Sequence, residues 1–409
     1  MNAECHNKPA GIIVIADDLS GAAELANAAL QAGFSAEVQM HFCAGADADV
    51  VCVDTETRSL PPETASAIVG ETARSVAVAR PVLVYKKCDS VLRGPVAVES
   101  VAIAHALGRR RVLLIPANPS RQRIIRGGEY FVDGTPLAQT AFATDPEYPC
   151  RTSRVVELLG NPPGNSPGIE TPDVVSAGDL ARLAATVDAG TLPAGGVDFF
   201  SALLATWAGR VTQCAPSSTS QAPTILAGTG AHGVTRPTVD PLRGSLFVCG
   251  SHSAWLAGRN EQCAQRGIQI CPMPRGLFEL ELCEDILARW AASVASALRE
   301  CGAALLAIGG EAPLPGVTSA MLADRLSQAV ELTLQQCAAA RVLLEGGATA
   351  AAVVGQLGLE RFRAQPSPGP GVGALRPLGK KSPLLLIKPG SYPWPEVVWS
   401  RVTDSGFQA

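Results

Sequence analysis

Two adjacent carboxylates, Asp17 and Asp18, stand where the apolar run GIIVIA ends and just before a helix-like segment beginning near Gly21. Paired carboxylates in that place can take a proton from a hydroxyl or hold a magnesium ion, and the helix start offers free N–H groups to an anion. Asp18 or Ser20 can equally do no more than cap the helix. A second cluster runs from Tyr85 to Gly94 at the end of PVLVYK and holds Lys86, Lys87, Asp89, Ser90 and Arg93. Lys and Arg neutralise a carboxylate or phosphoryl group, Arg with a bidentate fork, while Asp and Ser bind hydroxyls. A solvated charged loop is the plain alternative. Arg58 in DTETRS, and Arg121 and Arg123 in NPSRQRIIRGG, follow neighbouring apolar runs. Together these groups are expected to converge on one cleft suited to a small acidic substrate.

The second half of the chain carries a different chemistry. Gly346, Gly347, Ala348 and Thr349 lie between RVLLE and an Ala-rich segment. Glycines there let a phosphate approach the first turn of helix amides, although a tight turn capped by Thr349 would read the same. Gly250, Ser251, His252 and Ser253 repeat the arrangement after SLFVC, and Lys388, Pro389, Gly390 and Ser391 form a third strand end with one cation. Three small-residue strand ends in one half point to a nucleotide.

Other chemistries fit less well. Gly228 to Gly233 match the dinucleotide pattern G-x-G-x-x-G, but Pro237 and Pro241 follow almost at once where that pattern needs a helix. No G-x-x-x-x-G-K-[ST] loop and no protein-kinase signature set is present. His6, His41, His105, His232 and His252 have no H-E-x-x-H or Cys-x-x-Cys partner, which argues against a zinc site.

The elements that must position these groups follow from the alternation of apolar runs with helix-like segments. GIIVIA, ADVVCV, PVLVYK and RVLLIPA in the first half, and SLFVC, ALLAIGG, RVLLE and LLLIK in the second, predict parallel sheets covered by helices. Ligands of open parallel sheets bind beyond the carboxyl ends of strands, where the polar clusters fall. A chain of 409 residues suggests two to three domains. The stretch between Thr212 and Arg243 is rich in Pro, Ser, Thr and Gly and reads as a connection. The expected organisation is therefore an α/β protein of two domains, each a mostly parallel sheet flanked by helices, with a cleft between them: residues 1–212, a linker at 213–243, and residues 244–409. GNPPGNSPG (Gly160 to Gly168) and QPSPGPGVG (Gln365 to Gly373) are loops inside these units.

Composition narrows the class. Lys and Arg number 33 against 37 Asp and Glu, a net charge of −4, and 17% charged residues is below the usual share of about 25%. Neither a nucleic-acid-binding tail nor an acidic solvating tail is indicated. Forty-seven per cent apolar residues argue against disorder throughout. The 12 cysteines are scattered and read as reduced thiols. No apolar signal segment opens the sequence and no charge-free apolar run reaches the length of about 18 residues needed to span a bilayer, so a cytoplasmic location is expected.

Assembled in order, ADDLSGA (Ala16 to Ala22), DTETRS (Asp54 to Ser59), KKCDSVLRG (Lys86 to Gly94), the stretch from Ile115 to Phe142, CGSHS (Cys249 to Ser253), GGATA (Gly346 to Ala350) and KPGSY (Lys388 to Tyr392) resemble the four-carbon acid sugar kinase family over nearly the whole length. The resemblance implies an N-terminal domain that binds a threonate, erythronate or 3-oxo-tetronate type of acid and a C-terminal domain that binds ATP. It implies that Asp17, Asp18, Arg58, Lys87, Asp89, Ser90 and Arg93 serve the acid; from their residue chemistry, Asp17 or Asp18 is expected to orient the hydroxyl and Arg93 and Lys87 to hold the carboxylate. Ser251, Ser253, Gly346, Gly347, Ala348, Thr349 and Gly390 would contact ATP, with Mg2+ as the accompanying ion. The partners implied are small molecules, without nucleic acid or membrane, and a homo-oligomer is compatible with this.

Two places depart from that family's pattern. Ala348 stands where an acidic residue is usual, removing a carboxylate that could meet the ribose or a metal-bound water. KPGSYPWP replaces a K-S-G-N-F-G type of sequence, so Pro389 lacks a backbone donor and Trp394 offers a flat surface for stacking on a base. The alternative function is accordingly a catalytically impaired pseudo-kinase that binds a sugar acid, with an oxidoreductase using the Gly228 pattern as a more distant third.

Overall fold

The computed structural model describes residues 11–145, 148–160, 167–214, 244–250, 255, 258–311, 314–379, 382–390 and 393–399, with backbone alone at 208–214. Most of the expected linker, the Gly228 pattern, Ser251, His252, Ser253 and Ser391 lie outside the described residues.

The apolar runs are strands. Those of the first half are β1 (Ile12–Ala16), β2 (Ala36–Gln39), β3 (Val50–Asp54), β4 (Leu83–Lys87), β5 (Arg111–Ile115), the short β6 (Arg123–Arg126), β7 (Glu129–Val132) and β8 (Thr135–Pro136), then β9 (Gly168–Glu170) and β10 (Thr191–Gly195). The second half supplies β11 (Ser245–Cys249), β12 (Gln269–Pro272), β13 (Ala303–Ala307), β14 (Arg341–Glu345), β15 (Arg361–Gln365), β16 (Gly373–Pro377) and β17 (Leu384–Lys388). Every residue of β1, β3, β4, β11, β13, β14 and β17 is buried, as continuous Val, Ile and Leu runs require when helices cover both faces.

Fourteen strands form one sheet in the order β12-β13-β11-β14-β17-β16-β15-β2-β3-β1-β4-β10-β5-β9. Within the first-half part of this sheet all pairings are parallel; Ile12, for example, stands beside both Val50 and Leu83. β15 pairs antiparallel with β2 and with β16, and β16 with β17, so the parallel strands of the second half run opposite to those of the first. Two separate sheets were the expectation. The halves are instead joined through the three pairs Arg361 with Gln39, Phe362 with Val38 and Arg363 with Glu37. Each sheet alone would leave β2 or β15 as an edge with open backbone groups, and this pairing satisfies them. An ion pair from Arg361 Nε to Glu37, 2.6 Å, ties the same seam.

Helix α1 (Leu19–Gln31) follows β1 and packs on second-half strands, where a Cβ placed on Gly373 would overlap Ala23. The other helices are α2 (Pro62–Val78), α3 (Val96–Ala106), α4 (Val155–Leu159), α5 (Ala177–Ala185), α6 (Val197–Cys214), α7 (Arg259–Ala264), α8 (Glu284–Cys301), α9 (Ser319–Gln336) and α10 (Gly347–Gln356). A small antiparallel sheet, β6-β7-β8, stands beside the carboxyl ends of the first-half strands. Among the described residues the cysteines whose side chains are placed are all free thiols, and no helix is long and apolar enough to cross a membrane.

A second apolar cluster in the C-terminal half gathers Phe247, Leu386, Trp394 and Trp399, with Phe247 stacked on Trp399 at 5.3 Å. Trp394 is 4% exposed and meets Phe247 edge-on. The surface for stacking on a base that the sequence suggested at Trp394 is therefore spent on the core.

Candidate functional site

The turn after β1 brings the two carboxylates together with a single guanidinium. Arg58 donates from Nε to Asp17, 2.8 Å, and from Nη1 to Asp18, 2.7 Å. Asp18 caps α1 through the Gly21 N–H, 2.8 Å, and also accepts from the Ser20 hydroxyl. The capping role and a place in the site are thus filled by the same side chain. The loop bearing Arg58 is held by the Asp17 carbonyl, which takes the N–H groups of Thr57 and Arg58 at 3.1 and 3.2 Å. Burial pushes the Asp17 carboxyl upward, but the charges of Arg58, Lys86 and Lys87 outweigh it and hold the group below the ordinary carboxylate range. Burial likewise works against the Arg58 charge, and Asp17, Asp18 and Asp89 keep it firmly protonated.

Adjacent residues of a strand face opposite sides of the sheet, and this separates the two lysines of β4. Lys86 turns toward α3 and pairs with Glu99 at 2.6 Å, both fully enclosed. Lys87 turns toward α1, where it meets Glu24 at 3.5 Å and donates to the Cys88 carbonyl at 2.8 Å. Of the three cations expected to act together in this segment, Lys86 is therefore part of the packing behind the site. Beyond the strand, Asp89 receives the Arg93 fork at 2.8 and 3.1 Å and accepts the N–H groups of Val91 and Arg93. Burial opposes its charge, but Arg93 and Arg58 hold the carboxyl far below its usual range. The outer Nη1 of Arg93 reaches Asp145 at 3.4 Å, a looser contact. Arg123 donates to the Ser90 hydroxyl and lies over the Phe142 ring at 5.6 Å, and Arg121 pairs with Glu24 at 2.8 Å.

These groups surround a cavity of about 40 Å³. Asp18, Arg58, Lys87, Asp89, Ser90 and Arg93 line it, as do Arg121 and Arg123, while Asp17 stands behind with one oxygen buried and unpartnered. Five cations face three carboxylates, Asp18, Glu24 and Asp89. The excess of positive charge suits an anion, and the small volume means that an incoming acid must displace some of these internal ion pairs.

The second half reaches the same cavity. Pro389, after β17, lines it, and a Cβ on Gly347 would run into the Asp18 carboxylate. Gly347 opens α10, whose N-cap is Gly346 at φ 100° with no side-chain cap, so the first-turn amides are left for another acceptor. Thr349 does not cap the turn; it is buried, and Gly250 at the end of β11 has room for no side chain beside it. Ala348 is exposed, and Gly390 is half-buried beside Pro389. Behind the helix start Glu345 takes the Arg259 fork at 2.9 and 3.1 Å and the Lys388 ammonium at 2.7 Å. Burial depresses Lys388 to about 8 although Glu345 favours its charge.

The sequence reading thus grouped Asp17, Asp18, Arg58, Lys87, Asp89, Ser90 and Arg93 in one strand-end cluster; it set Gly346 and Gly390 opposite, whereas the glycine that meets Asp18 is Gly347. It missed Glu24, Asn118, Phe142, Arg259 and Glu345. Glu24 lies three and four residues beyond Gly21 and Ser20, which also line the cavity, so helical spacing could have pointed to it. Arg259 and Glu345 are distant in sequence, and no local pattern links them.

A family model described as sugar-binding N-terminal domain matches residues 12–192. A D-threonate kinase of Salmonella typhimurium is 33% identical over 151 residues, and the match spans 36% of each chain, about a third of that relative's length. A 3-oxo-tetronate kinase of Methylobacterium radiotolerans is 27% identical over 413 residues, covering 92% of this chain and 95% of the other. Among solved structures, a Salmonella typhimurium LT2 protein described as a putative tRNA synthase has a TM-score of 0.69 at 19% identity, covering 98% of this chain and 100% of that one, a likeness of fold.

Proposed function

The chain belongs to the four-carbon acid sugar kinase family, and from that premise we propose that it transfers the γ-phosphoryl group of ATP to a hydroxyl of a four-carbon sugar acid of the threonate, erythronate or 3-oxo-tetronate type. The observation that carries this reading is the meeting of two dissimilar parts. A cavity with excess positive charge, lined in part by Asp18, lies against the uncapped first turn of α10.

Phosphoryl transfer is mostly positioning and charge neutralisation. Arg93 Nη1, whose contact to Asp145 is loose, and Lys87 would take the acid's carboxylate, and Asp89 and Ser90 its hydroxyls. Asp18, lining the cavity, would orient the accepting hydroxyl and receive its proton as the phosphoryl leaves ATP; Asp17 would hold Arg58 in place. The amides of Gly347, Ala348 and Thr349 would meet phosphate oxygens, as helix starts do. ATP fits these residues because among the described residues no side chain caps the helix. Mg2+ would arrive on the phosphates and neutralise the charge that develops on them. Among the described residues no group of three or more His, Cys, Asp or Glu is placed to hold a metal, so those residues would add at most one or two ligands to such an ion.

The test is incubation with magnesium-ATP and a panel of four-carbon sugar acids, reading ADP release. Release that depends on one acid supports the kinase. Tight binding of an acid without ADP release would replace it by the sugar-acid-binding alternative.

A further inference from the structure

The cavity of about 40 Å³ at the strand ends has room for roughly one to three waters, and not for a chain of four carbons bearing a carboxylate and hydroxyls. One of its own groups must yield to the acid, and the carboxylates that line it are held very unequally. Asp18 accepts the Gly21 N–H at 2.8 Å, the Ser20 hydroxyl and Arg58 Nη1. Asp89 accepts the N–H groups of Val91 and Arg93 and both prongs of the Arg93 fork. Glu24 receives no aligned hydrogen bond from the described residues. Its Oε2 stands 3.5 Å from the Lys87 ammonium, and its Oε1 is enclosed beside Arg121 Nη2 at 2.8 Å without a donor directed at it. Lys87 is underused in the same way: it is 4% exposed, and its ammonium spends one N–H on the Cys88 carbonyl at 2.8 Å. An enclosed ammonium carries three donors, and leaving them without acceptors is costly.

Resting on the sugar-acid kinase reading, we propose that Glu24 is a specificity-determining residue of the acid site: its carboxylate occupies the anion place on Lys87 until the carboxylate of the sugar acid displaces it. Exchanging one carboxylate for another keeps the enclosed ammonium neutralised throughout. Burial works against the Lys87 charge, and Glu24, with Asp17 and Asp18, keeps the group protonated. A bound acid takes over that service and adds the aligned hydrogen bonds that Glu24 does not make.

Glu24 is also the carboxylate with somewhere to go. Asp18 and Asp89 are short side chains tied to backbone amides of their own turns, whereas Glu24 projects from the second turn of α1 on a longer stem. Its other partner, Arg121, has a side chain 21% exposed against 5% for Lys87, and borders Gly371 of the second half. Released from Lys87, the carboxylate keeps that cation as it swings toward the rim. The consequence is a threshold for every anion. A ligand that offers charge alone gains on Lys87 only what Glu24 gives up, while a sugar acid gains hydroxyl contacts at Asp89 and Ser90 besides. Glu24 therefore works against inorganic anions that an open set of cations would admit.

Isothermal titration of the full chain without nucleotide, at constant ionic strength, tests this with the panel of four-carbon sugar acids and with sodium sulfate as probes. The parent is expected to bind an acid saturably and sulfate not at all. Glu24→Gln should bind the same acid about tenfold tighter and gain saturable sulfate binding, and Glu24→Asp, which keeps the charge, should exclude sulfate again. Structural damage alone would weaken binding, so the tighter acid and the rescue by Asp are specific to displacement. Acid affinity unchanged or weaker in Glu24→Gln, with the parent binding its acid, overturns the proposal and leaves the kinase reading standing. Should Glu24→Gln fail to fold, the parent still decides: sulfate bound as tightly as the acid overturns the proposal. A parent that binds no acid of the panel and releases no ADP with any overturns the kinase reading along with it.

Discussion

The two halves meet their expected ligands by opposite means. Around Asp18 the first half works with side-chain charge: Arg58 spans two carboxylates, the Arg93 fork fills Asp89, and Lys87 and Arg121 share Glu24. At the start of α10 the second half works with backbone, a glycine pair and uncapped amides, and keeps its charges Arg259, Glu345 and Lys388 behind the helix. Side-chain networks discriminate a small acid by the placement of each group, because leaving any buried partner unpaired is costly. Backbone amides read only phosphate, which every nucleotide carries. On the proposed function, this division would give specificity to the first half and phosphate handling to the second.

That contrast breaks most readily at Arg58. Arg58→Ala leaves Asp17 and Asp18 without their shared cation, and breaking a buried pair of this kind costs about 3–5 kcal/mol. Urea unfolding should show that loss together with collapse of acid-dependent ADP release, and an unmoved midpoint would sink the account of a charge-saturated first half. Asp18→Asn retains a capping side chain but gives up the charge that pairs with Arg58, so the melting temperature should fall by less than in Arg58→Ala while kcat falls by about 10²–10⁴. Parent-like turnover in that variant would transfer the orienting role to Asp17.

The contact between halves is probed by Gly347→Ala, whose methyl group meets the Asp18 carboxylate. A fall in kcat of roughly 10–10²-fold is expected, with the acid's KM changed less. Unchanged kinetics would mean that the two halves are not in this contact when they work. The smallest effect belongs to Lys388. Its buried ammonium titrates near 8 in the folded chain against 10.5 ordinarily. Between these values the unfolded chain binds more protons, so stability rises with pH from about 8 toward 10, by an amount on the order of 1 kcal/mol. Lys388→Met should flatten this rise in chemical unfolding measured across that range, and an equal rise in the variant would assign it to another group.

Much of the first-half site was legible because its groups sit at strand ends, and strand ends follow from where apolar runs stop. Asp17, Asp18, Lys87, Asp89 and Arg93 were reached in that way. The same reasoning grouped Lys86 with them, since the sequence shows that neighbours on a strand part to opposite faces but not which face holds the ligand. The Arg259 and Glu345 pair was illegible for a different reason: its residues are 86 positions apart and meet only through the sheet. Trp394 read as an exposed ring because nothing local says that Phe247 will cover it.

By itself, then, the sequence determined the strands, the helices that alternate with them and the chemistry available where they end, since these depend on interactions among near neighbours. The tertiary structure decided that β2 and β15 close two sheets into one, that Gly347 abuts Asp18, and that Arg361 meets Glu37 across that seam. Those outcomes rest on which distant edges and faces satisfy one another's hydrogen bonds and apolar surface, a choice among long-range pairings that no local pattern encodes.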